Sequence, residues 1–249
     1  MFLDPLVTML TRKQLPLYGK IKKKIDLARL IDYCVSKGYT EYDKYIDVQY
    51  GKNDKHSAFL QAHAYSKENF FTEEEAPVLQ GEKYKQLYLT EINPDKIVSS
   101  ITDIQATSTN TFSKNKRRLP GSNNYLPEAD EHNYGYRNEH VKDIFEEIIN
   151  QFESPVCRVR LAVLMPGFTI KPHVDYDPSY ITRYHIPIIT NDQVLFGGKV
   201  KDKITEYIMP ADGSIYFFNS GILHWVGNHG TQPRLHLIVD TNGQQDLQL

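Results

Sequence analysis

The stretch Gly213–Asp240, GSIYFFNSGILHWVGNHGTQPRLHLIVD, is the part of the chain that decides the fold. It contains three short segments rich in β-branched and aromatic residues, separated by Asn, Ser, Gly and Pro clusters that favour turns. The same alternation of short strands and turns extends back through about the last third of the chain. This pattern is typical of an antiparallel sandwich or barrel. The predicted strands are Val156–Met165, Phe168–His173, Arg183–Ile189, Gln193–Phe196, Ile204–Met209, Ser214–Phe218, His224–Gly227 and Leu235–Asp240.

Three residues in this region have the identity and spacing of metal ligands. His173 and Asp175 are two residues apart in KPHVDY, and His224 follows on a later predicted strand. Because side chains alternate faces along an extended chain, residues i and i+2 point the same way and can reach one ion. Two neutral imidazoles and one carboxylate form the facial triad of non-haem Fe(II) oxygenases, which leaves coordination positions open. The spacing therefore predicts an iron site at these three residues.

An arginine on the next predicted strand supplies a candidate anchor for an acidic co-substrate. Arg234 opens the run RLHLIVD, whose alternation places Arg234 and His236 on one face, which we expect to be the inner one. A single carboxylate ligand cancels only part of the charge of Fe(II), so an anionic bidentate ligand such as a 2-oxo acid can still bind. Its far carboxylate needs a partner, and a planar guanidinium is the best available fork. Arg234 is the predicted anchor.

The region from about Val156 to Gly243 resembles a known family, the aspartyl/asparaginyl β-hydroxylase-like Fe(II)/2-oxoglutarate dioxygenases, which includes the bacterial proline cis-4-hydroxylases. The resemblance rests on PHVDY, ITRYHIPIITN, GSIYFFNSGILHWVGN and PRLHLIVD. It implies a mainly β protein with flanking helices, built on a double-stranded β-helix (jelly roll, cupin-like). It also implies a hydroxylase that uses Fe(II), 2-oxoglutarate and O2 on an amino acid or peptidyl residue, converting 2-oxoglutarate to succinate.

By position, the resemblance implies that His173, Asp175 and His224 bind the iron. Some members of the family lack the carboxylate ligand, and in halogenating relatives a small residue frees that position for halide. This chain keeps Asp175, so the resemblance favours hydroxylation over halogenation.

The resemblance also implies a pocket for the co-substrate. Arg234 corresponds to the residue that binds the far carboxylate of 2-oxoglutarate. Arg183 and His185 are expected to line the same pocket, because the family carries Arg-x-His at that place.

Composition sets few limits on the partner. The net charge of −2 gives no general attraction to nucleic acid or membrane. No apolar run approaches the roughly 20 residues that span a bilayer, and the opening MFLDPLVTMLTRKQ lacks the basic region of a signal peptide. Cys34 and Cys157 are too few for a disulfide framework. We therefore expect a cytoplasmic protein with no membrane partner, in the reducing setting that suits Fe(II).

The first part of the chain is expected to be an extension of the core. We predict an α/β region with the lid and substrate contacts at residues 1–150, followed by the catalytic double-stranded β-helix at residues 151–249. Apolar residues at helical spacing predict a helix over Ile21–Lys37, ended by Gly38.

Further elements are predicted between this helix and the core. Strands are expected at Gln86–Thr90 and Ile97–Ala106. Thr107–Asn138 is dense in Gly, Pro, Asn and Ser and is longer than ordinary connections, so we interpret it as a substrate lid. An amphipathic helix over His140–Phe152, with Asn138 as its candidate cap, is expected to brace the sheet.

Other residues near the predicted site allow two interpretations each. Arg158 and Arg160 alternate with apolar residues, and they either point inward into the pocket or lie on a solvated edge strand. His236 either touches the site or packs in the core. Trp225, the only tryptophan, is interpreted as a core or pocket-wall residue, and His229, in a Gly-Asn-His-Gly turn, as a surface residue.

Two alternative functions remain. A nucleic-acid-modifying oxygenase would use the same triad, and the basic run Lys114–Arg118 could bind phosphate. Those enzymes carry a second Arg six residues after the first, however, and Asp240 stands there, so we regard a nucleic-acid substrate as unlikely. A cupin-like metal-binding module without redox activity would bind metal but no 2-oxo acid. The choice between a free amino acid, a peptide and a protein residue as substrate stays open.

Overall fold

The structure, a computed structural model, describes residues 9–47, 83–96, 131–200 and 202–247. Within these ranges the helices are α1 (Leu27–Ser36) and α2 (Asp143–Ile149). The strands are β1 (Tyr18–Lys24), β2 (Ile46–Asp47), β3 (Tyr84–Tyr88), β4 (Thr90–Glu91), β5 (Tyr136–Arg137), β6 (Val156–Leu164), β7 (Phe168–His173), β8 (Thr182–Ile189), β9 (Val194–Val200), β10 (Lys203–Tyr207), β11 (Ser214–Phe218), β12 (Leu223–Asn228) and β13 (Arg234–Thr241).

Strands β6 to β13 form a double-stranded β-helix. The chain crosses repeatedly between a major sheet, ordered β1-β11-β8-β13-β6-β3-β2, and a minor sheet, ordered β10-β9-β12-β7. All pairings in both sheets are antiparallel. Each of the eight strands predicted after residue 155 overlaps an observed strand. The predicted mainly β jelly-roll fold is confirmed.

The major sheet has two chemically different faces. Along β13, Leu235, Leu237 and Val239 join the apolar cluster on the outer face. The alternate residues of the strand, from Arg234 to Asp240, point toward the minor sheet, as period-two alternation requires. All residues of β13 are buried on one face or the other, so its polar side chains are held inside the protein rather than in solvent.

The outer face is covered by the two helices. Leu30 of α1 and Phe145 of α2 are both fully buried in the outer cluster. Arg29 and Glu147 join the exposed sides of the helices through two hydrogen bonds of 2.6 and 2.7 Å. This exposed ion pair adds little stability, so the helices are held mainly by the apolar stripe beneath them.

The helix predicted over Ile21–Lys37 is wrong in its first part. Residues Tyr18–Lys24 form β1 and pair with β11. The helix starts only after Asp26, whose carboxylate accepts a hydrogen bond from the backbone N–H of Arg29 at 3.1 Å, an N-cap that contributes about 1 kcal/mol. Ile21 is the only buried residue of β1, so this edge strand does not contribute to the apolar stripe predicted for the start of the helix. The predicted end is confirmed, because α1 stops at Ser36 and Gly38 has a φ of +69°.

The helix predicted over His140–Phe152 is confirmed in its middle as α2. Asn138 accepts a hydrogen bond from the backbone N–H of His140 at 3.0 Å and stabilises the turn before the helix, while Lys142 is the N-cap residue. The strand predicted at Gln86–Thr90 overlaps β3. The strand predicted at Ile97–Ala106 lies outside the described residues, and so does most of the predicted lid at 107–138.

Strands from the first part of the chain extend the major sheet. β1 pairs with β11 at one edge, and β3 pairs with β6 and β2 toward the other. The predicted division between residues 1–150 and 151–249 stays a prediction. In the described residues, no helix has the length and apolar character that crossing a membrane requires.

The contact between Gly197 and Trp225 yields a stability prediction. The two residues pair across β9 and β12, and a Cβ on Gly197 would lie only 2.0 Å from Cε2 of the indole. We expect Gly197→Ala to lower the free energy of unfolding by about 1–3 kcal/mol through overpacking, measured by urea denaturation.

Gly19→Ala is the matched control. Gly19 also lies in a strand, but a Cβ there would meet nothing within 4 Å. Equal midpoints for the two variants would contradict the steric explanation.

Candidate active site

The three predicted metal ligands converge at one end of the minor sheet. His173 ends β7, and His224 faces it from β12 in direct register. Their ring centroids are 4.2 Å apart. Asp175, two residues beyond β7, completes a group in which one ligand atom of each residue lies within 4.8 Å of the others. The three side chains selected by their spacing in the sequence therefore lie close together in space.

Backbone carbonyl groups orient both imidazoles. Nδ1 of His173 lies 2.7 Å from the carbonyl oxygen of Lys171, and Nδ1 of His224 lies 2.8 Å from that of Ile222. Because a carbonyl oxygen only accepts, each Nδ1 must carry the proton and donate it. The Nε2 lone pair of each ring is thus left for a metal, an arrangement common among histidine ligands.

A backbone hydrogen bond holds the carboxylate ligand near the second histidine. The N–H of Asp175 donates to the carbonyl oxygen of Ser220 at 2.9 Å, which ties the segment after β7 to the loop before β12. The metal ligands on two strands are therefore linked through the backbone as well as through any bound ion.

Local electrostatics keep the ligands in the forms that bind metal. Burial opposes ionisation of Asp175, but the Arg183 guanidinium, together with His173 and His224, outweighs it and holds the pKa of that carboxyl well below its usual range. Burial, assisted by His173, lowers the pKa of His224 to about 3. At neutral pH the site presents a carboxylate and a neutral imidazole. Two nitrogen donors and one oxygen donor grouped in this way suit Fe(II).

Arg183 links the metal site to a buried ion-pair network. Its Nη1 donates to Asp175, while its Nε and Nη2 donate to Asp240 at 2.8 and 3.3 Å. Asp240 is fully buried and also accepts from Nη1 of Arg160 at 2.8 Å. Four alternating charges thus run from the ligand Asp175 across β8 and β13 to β6.

A cleft opens between the sheets at this site. Apart from the metal ligands, its polar lining consists of arginine, histidine, glutamine and tyrosine, and its apolar lining comes from both sheets. The lining residues are Tyr84, Gln86, Arg160, Ile170, His173, Asp175, Arg183, His185, Phe196, Phe218, His224, Trp225, Val226, Arg234 and Ile238. All six residues predicted for iron and co-substrate therefore share one cleft.

Arg234 is the unusual charge in this cleft. It is 1% exposed, and no acidic residue pairs with it in the described part of the chain. Its one hydrogen bond there is a long one, from Nη2 to the carbonyl oxygen of Ala162 at 3.5 Å, and its Nε has no partner. Burial lowers its pKa to about 10, so it stays charged at neutral pH. A buried cation without a counter-ion is costly, which fits a site for an anionic ligand.

Two buried histidines lie between Arg234 and the ion-pair network. His185 and His236 approach each other through Nδ1 at 3.4 Å, and neither Nε2 has a partner among the described residues. Burial, followed by the nearby Arg234, lowers the pKa of both rings well below the ordinary value. Both are therefore neutral polar groups at neutral pH, and His185 also lines the cleft.

The sequence pattern left several other site residues undecided or unnoticed. Arg160 faces the cleft, whereas Arg158 pairs with buried Glu131 at 2.9 Å. In the sequence, Asp240 drew attention only because it stands where nucleic-acid-modifying oxygenases carry a second arginine. Its alternation with Arg234 along β13 could have placed it on the inner face, but its partners depend on the register of β6 and β8.

The histidine and tryptophan near the site fall as interpreted. Trp225 lines the cleft. His229 is exposed and is not among the cleft residues.

A protein-family comparison agrees with this geometry. The family model described as aspartyl/asparaginyl beta-hydroxylase matches residues 62–243, more than half of the chain. The chain belongs to the aspartyl/asparaginyl β-hydroxylase family. Among curated proteins, no sequence matches it. All three candidate ligands and Arg234 lie within the matched residues of this family member.

Solved structures resemble this β-hydroxylase family member only distantly. CapF, a capsular polysaccharide assembling protein from Staphylococcus aureus, is 15% identical with a TM-score of 0.29, over 36% of this chain and 24% of CapF. An oxidoreductase of the 2OG-Fe(II) oxygenase family from Burkholderia pseudomallei is 16% identical with a TM-score of 0.32, over 42% of this chain and 55% of that one. A predicted oxalate decarboxylase from Thermotoga maritima is 17% identical with a TM-score of 0.27, over 39% and 72%.

These likenesses do not extend to whole proteins. The aligned part spans less than two thirds of CapF and of the Burkholderia oxidoreductase. Similarity at this level identifies no activity for the chain. The functional argument therefore uses the family match and the geometry of the site.

The neutral buried histidines predict how stability depends on pH. The folded pKa of His185 and of His236 lies below the unfolded value of about 6.5, so the unfolded chain binds protons first as the pH falls. Unfolding of the metal-free protein should become easier below about pH 6.5, and each such histidine contributes about 1.4 kcal/mol per pH unit. Urea denaturation at pH 6 and pH 5 gives the change in the free energy of unfolding per pH unit. In His236→Gln this change should be smaller than in wild type by about that amount.

The exposed His229 supplies the control. His229→Gln makes the same substitution at an exposed position outside the cleft. Depressed carboxyl pKa values act at lower pH, so this window isolates the histidines. A wild-type slope in His236→Gln would show that His236 is not held neutral by burial.

Proposed function

We propose that this family member is an Fe(II)- and 2-oxoglutarate-dependent dioxygenase that hydroxylates an unactivated C–H bond of an amino acid or peptidyl residue. The observation that carries the proposal is the presence, in one cleft, of a two-histidine, one-carboxylate group and of a buried guanidinium for which the described residues supply no counter-ion. The histidines and the carboxylate would bind a metal and leave some of its coordination positions open, and the guanidinium would bind an acid.

His173, Asp175 and His224 would hold the iron. Their donor set is the one associated with non-haem Fe(II) oxygenases, and both imidazoles already present Nε2 as the free nitrogen. Bound Fe(II), with 2-oxoglutarate and O2, would supply the oxidative chemistry that yields succinate, CO2 and a hydroxylated product.

The chain's other residues have distinct tasks in this proposal. Arg234 binds the far carboxylate of 2-oxoglutarate and gains the counter-ion that it lacks. Arg183 keeps Asp175 ionised and fixes its direction through Asp240. Phe196 and Phe218 line the cleft from opposite sheets and exclude water, which strengthens the charge interactions inside.

Arg234 distinguishes the proposal from a metal-binding module without redox activity. Such a module requires the metal ligands but no buried arginine in the same cleft. The nucleic-acid alternative loses support at Asp240, which pairs with Arg160 and Arg183, and its basic run Lys114–Arg118 lies outside the described residues.

The first test needs no knowledge of the substrate. Anaerobic addition of Fe(II) and then 2-oxoglutarate should produce the weak visible charge-transfer band of the metal chelate in wild type. The band should be absent in His173→Ala, because one of three ligands is lost. His229→Ala, altered at an exposed residue, should keep it. Bound Fe(II) without any band in wild type would refute the proposed function and favour the metal-binding module.

A second test addresses the anchor. Arg234→Gln should weaken binding of 2-oxoglutarate to the Mn(II)-loaded protein by about 2–5 kcal/mol, as for loss of one partner of a buried charge pair. Isothermal titration measures this affinity directly.

Metal affinity and a conservative variant complete that test. Mn(II) should bind Arg234→Gln as it binds wild type, since Arg234 is not among the candidate ligands. Arg234→Lys keeps the charge but not the planar guanidinium, so its 2-oxoglutarate affinity should lie between those of wild type and Arg234→Gln. Unchanged 2-oxoglutarate affinity in Arg234→Gln would remove Arg234 from this task.

A further inference from the structure

Arg160 is the second guanidinium in the cleft with unused hydrogen-bonding capacity. It is 3% exposed and lines the cleft from β6. Its hydrogen bond within the described residues is the one from Nη1 to Asp240 at 2.8 Å, and its buried Nε has no partner. Arg183, in contrast, uses Nε, Nη1 and Nη2 on two carboxylates. The described side chains therefore satisfy Arg183 and leave most of Arg160 available.

Arg160 and Arg234 stand at opposite ends of the polar row on the inner face. In the major sheet Arg234 pairs with Leu164, whereas Arg160 pairs with Ile238. The two positions are thus four residues apart along the strands, or about 13 Å at the backbone. At one end of the row Asp240 pairs with Arg160 and Arg183. At the other end Arg234 has no acidic partner among the described residues. Two separate basic positions thus face one cleft.

The charges of the cleft do not balance with the co-substrate alone. Among the described residues, three arginines and two carboxylates line the cleft or pair directly with a residue that does: Arg160, Arg183, Arg234, Asp175 and Asp240. They leave one net positive charge. Fe(II) and doubly ionised 2-oxoglutarate cancel each other, so one positive charge remains when both are bound. A carboxylate group of the substrate could supply a counter-charge for it within the cleft.

Gln86 lines the cleft from the adjoining strand, where it pairs with Ala162, two residues along β6 from Arg160. β3 pairs with β6, and Gln86 is 3% exposed. Its Nε2 donates to Tyr84 at 2.5 Å and its Oε1 accepts from Tyr88 at 2.8 Å. These contacts fix the amide and leave one N–H of Nε2 for a further acceptor. A guanidinium and an amide N–H form a suitable pair of donors for a carboxylate.

We infer that Arg160, supported by Gln86, binds a carboxylate of the substrate to be hydroxylated. This inference rests on the proposed function and narrows its substrate class to carboxylic acids. The carboxylate could belong to a free amino acid or to the C-terminal residue of a peptide. An internal peptide residue without an acidic group would lack the charge that the cleft is built to receive.

The chain contains its own reporter of binding, independent of turnover. Trp225 is the single tryptophan and lines the cleft, so its fluorescence should respond to a bound ligand. Protein loaded with Mn(II) and 2-oxoglutarate without O2 would be titrated with three sets of compounds. These are the twenty L-amino acids, their N-acetyl derivatives, which imitate a C-terminal residue, and the N-acetyl amides, which imitate an internal residue.

Succinate release with Fe(II), 2-oxoglutarate and O2 would then be measured for the same compounds. We expect at least one compound with a free α-carboxylate to bind and to raise turnover, and its carboxylate-blocked N-acetyl amide to bind roughly tenfold or more weakly. Activity with free amino acids or with N-acetyl acids distinguishes the two sources. Equal binding of acid and amide, or no response to any compound by a protein that shows the chelate band, would overturn the inference.

Variants assign the preference to Arg160. Arg160→Gln should abolish the difference between acid and amide while 2-oxoglutarate affinity stays within about twofold, and Arg160→Lys should retain part of the difference. The control replaces the neighbouring buried pair, which is not among the cleft residues, by Arg158→Gln with Glu131→Gln. It should keep the preference.

The remaining outcomes separate the two proposals. A preference unchanged in Arg160→Gln, or a loss of 2-oxoglutarate affinity in place of substrate affinity, would contradict the inference. Absence of the chelate band in wild type would instead refute the proposed function. Should Arg160→Gln fail to fold, the comparison of acid and amide in wild type still decides whether a carboxylate is recognised.

Discussion

The buried ion-pair network from Asp175 through Arg183 and Asp240 to Arg160 is the interaction on which the site depends. Removing these charges from water is expensive, and the cost is offset only because each group meets an opposite charge at hydrogen-bond distance. The network crosses three strands of the major sheet. The direction of the carboxylate ligand is therefore fixed by residues that do not touch the metal position, and the strand register becomes part of the active site.

The major sheet divides stability and function between its faces. The outer face is apolar and is covered by α1 and α2, and burial of this surface favours folding. The inner face carries arginine, aspartate and histidine where an ordinary core would carry aliphatic side chains. Such buried polar groups weaken a core unless they are fully paired. Nitrogens of Arg234, His185 and His236 have no partner in the described part of the chain and are thus best understood as groups arranged for a ligand.

The sequence predicted the strands and the grouping of the candidate metal ligands because both depend largely on short-range patterns. His173 and Asp175 share a face by alternation alone, and the turn residues mark the strand ends. The helix start at Ile21 was wrong because YGKIKKK has little helical signal of its own, and pairing of β1 with β11 decides its conformation. Asp240 was missed as a site residue for a similar reason. Its importance comes from facing Arg160 and Arg183, which only the register of three strands defines.

The contrast between Arg183 and Arg234 connects folding to ligand binding. Arg183 is neutralised by the chain itself, so its position does not require a ligand. Arg234 is buried more deeply than Arg183, but no acid accompanies it in the described residues, so part of its desolvation cost remains in the free protein. An anion that binds there removes that cost and favours the folded state by mass action. On the proposed function, the polar face that weakens the core would gain stability when 2-oxoglutarate binds.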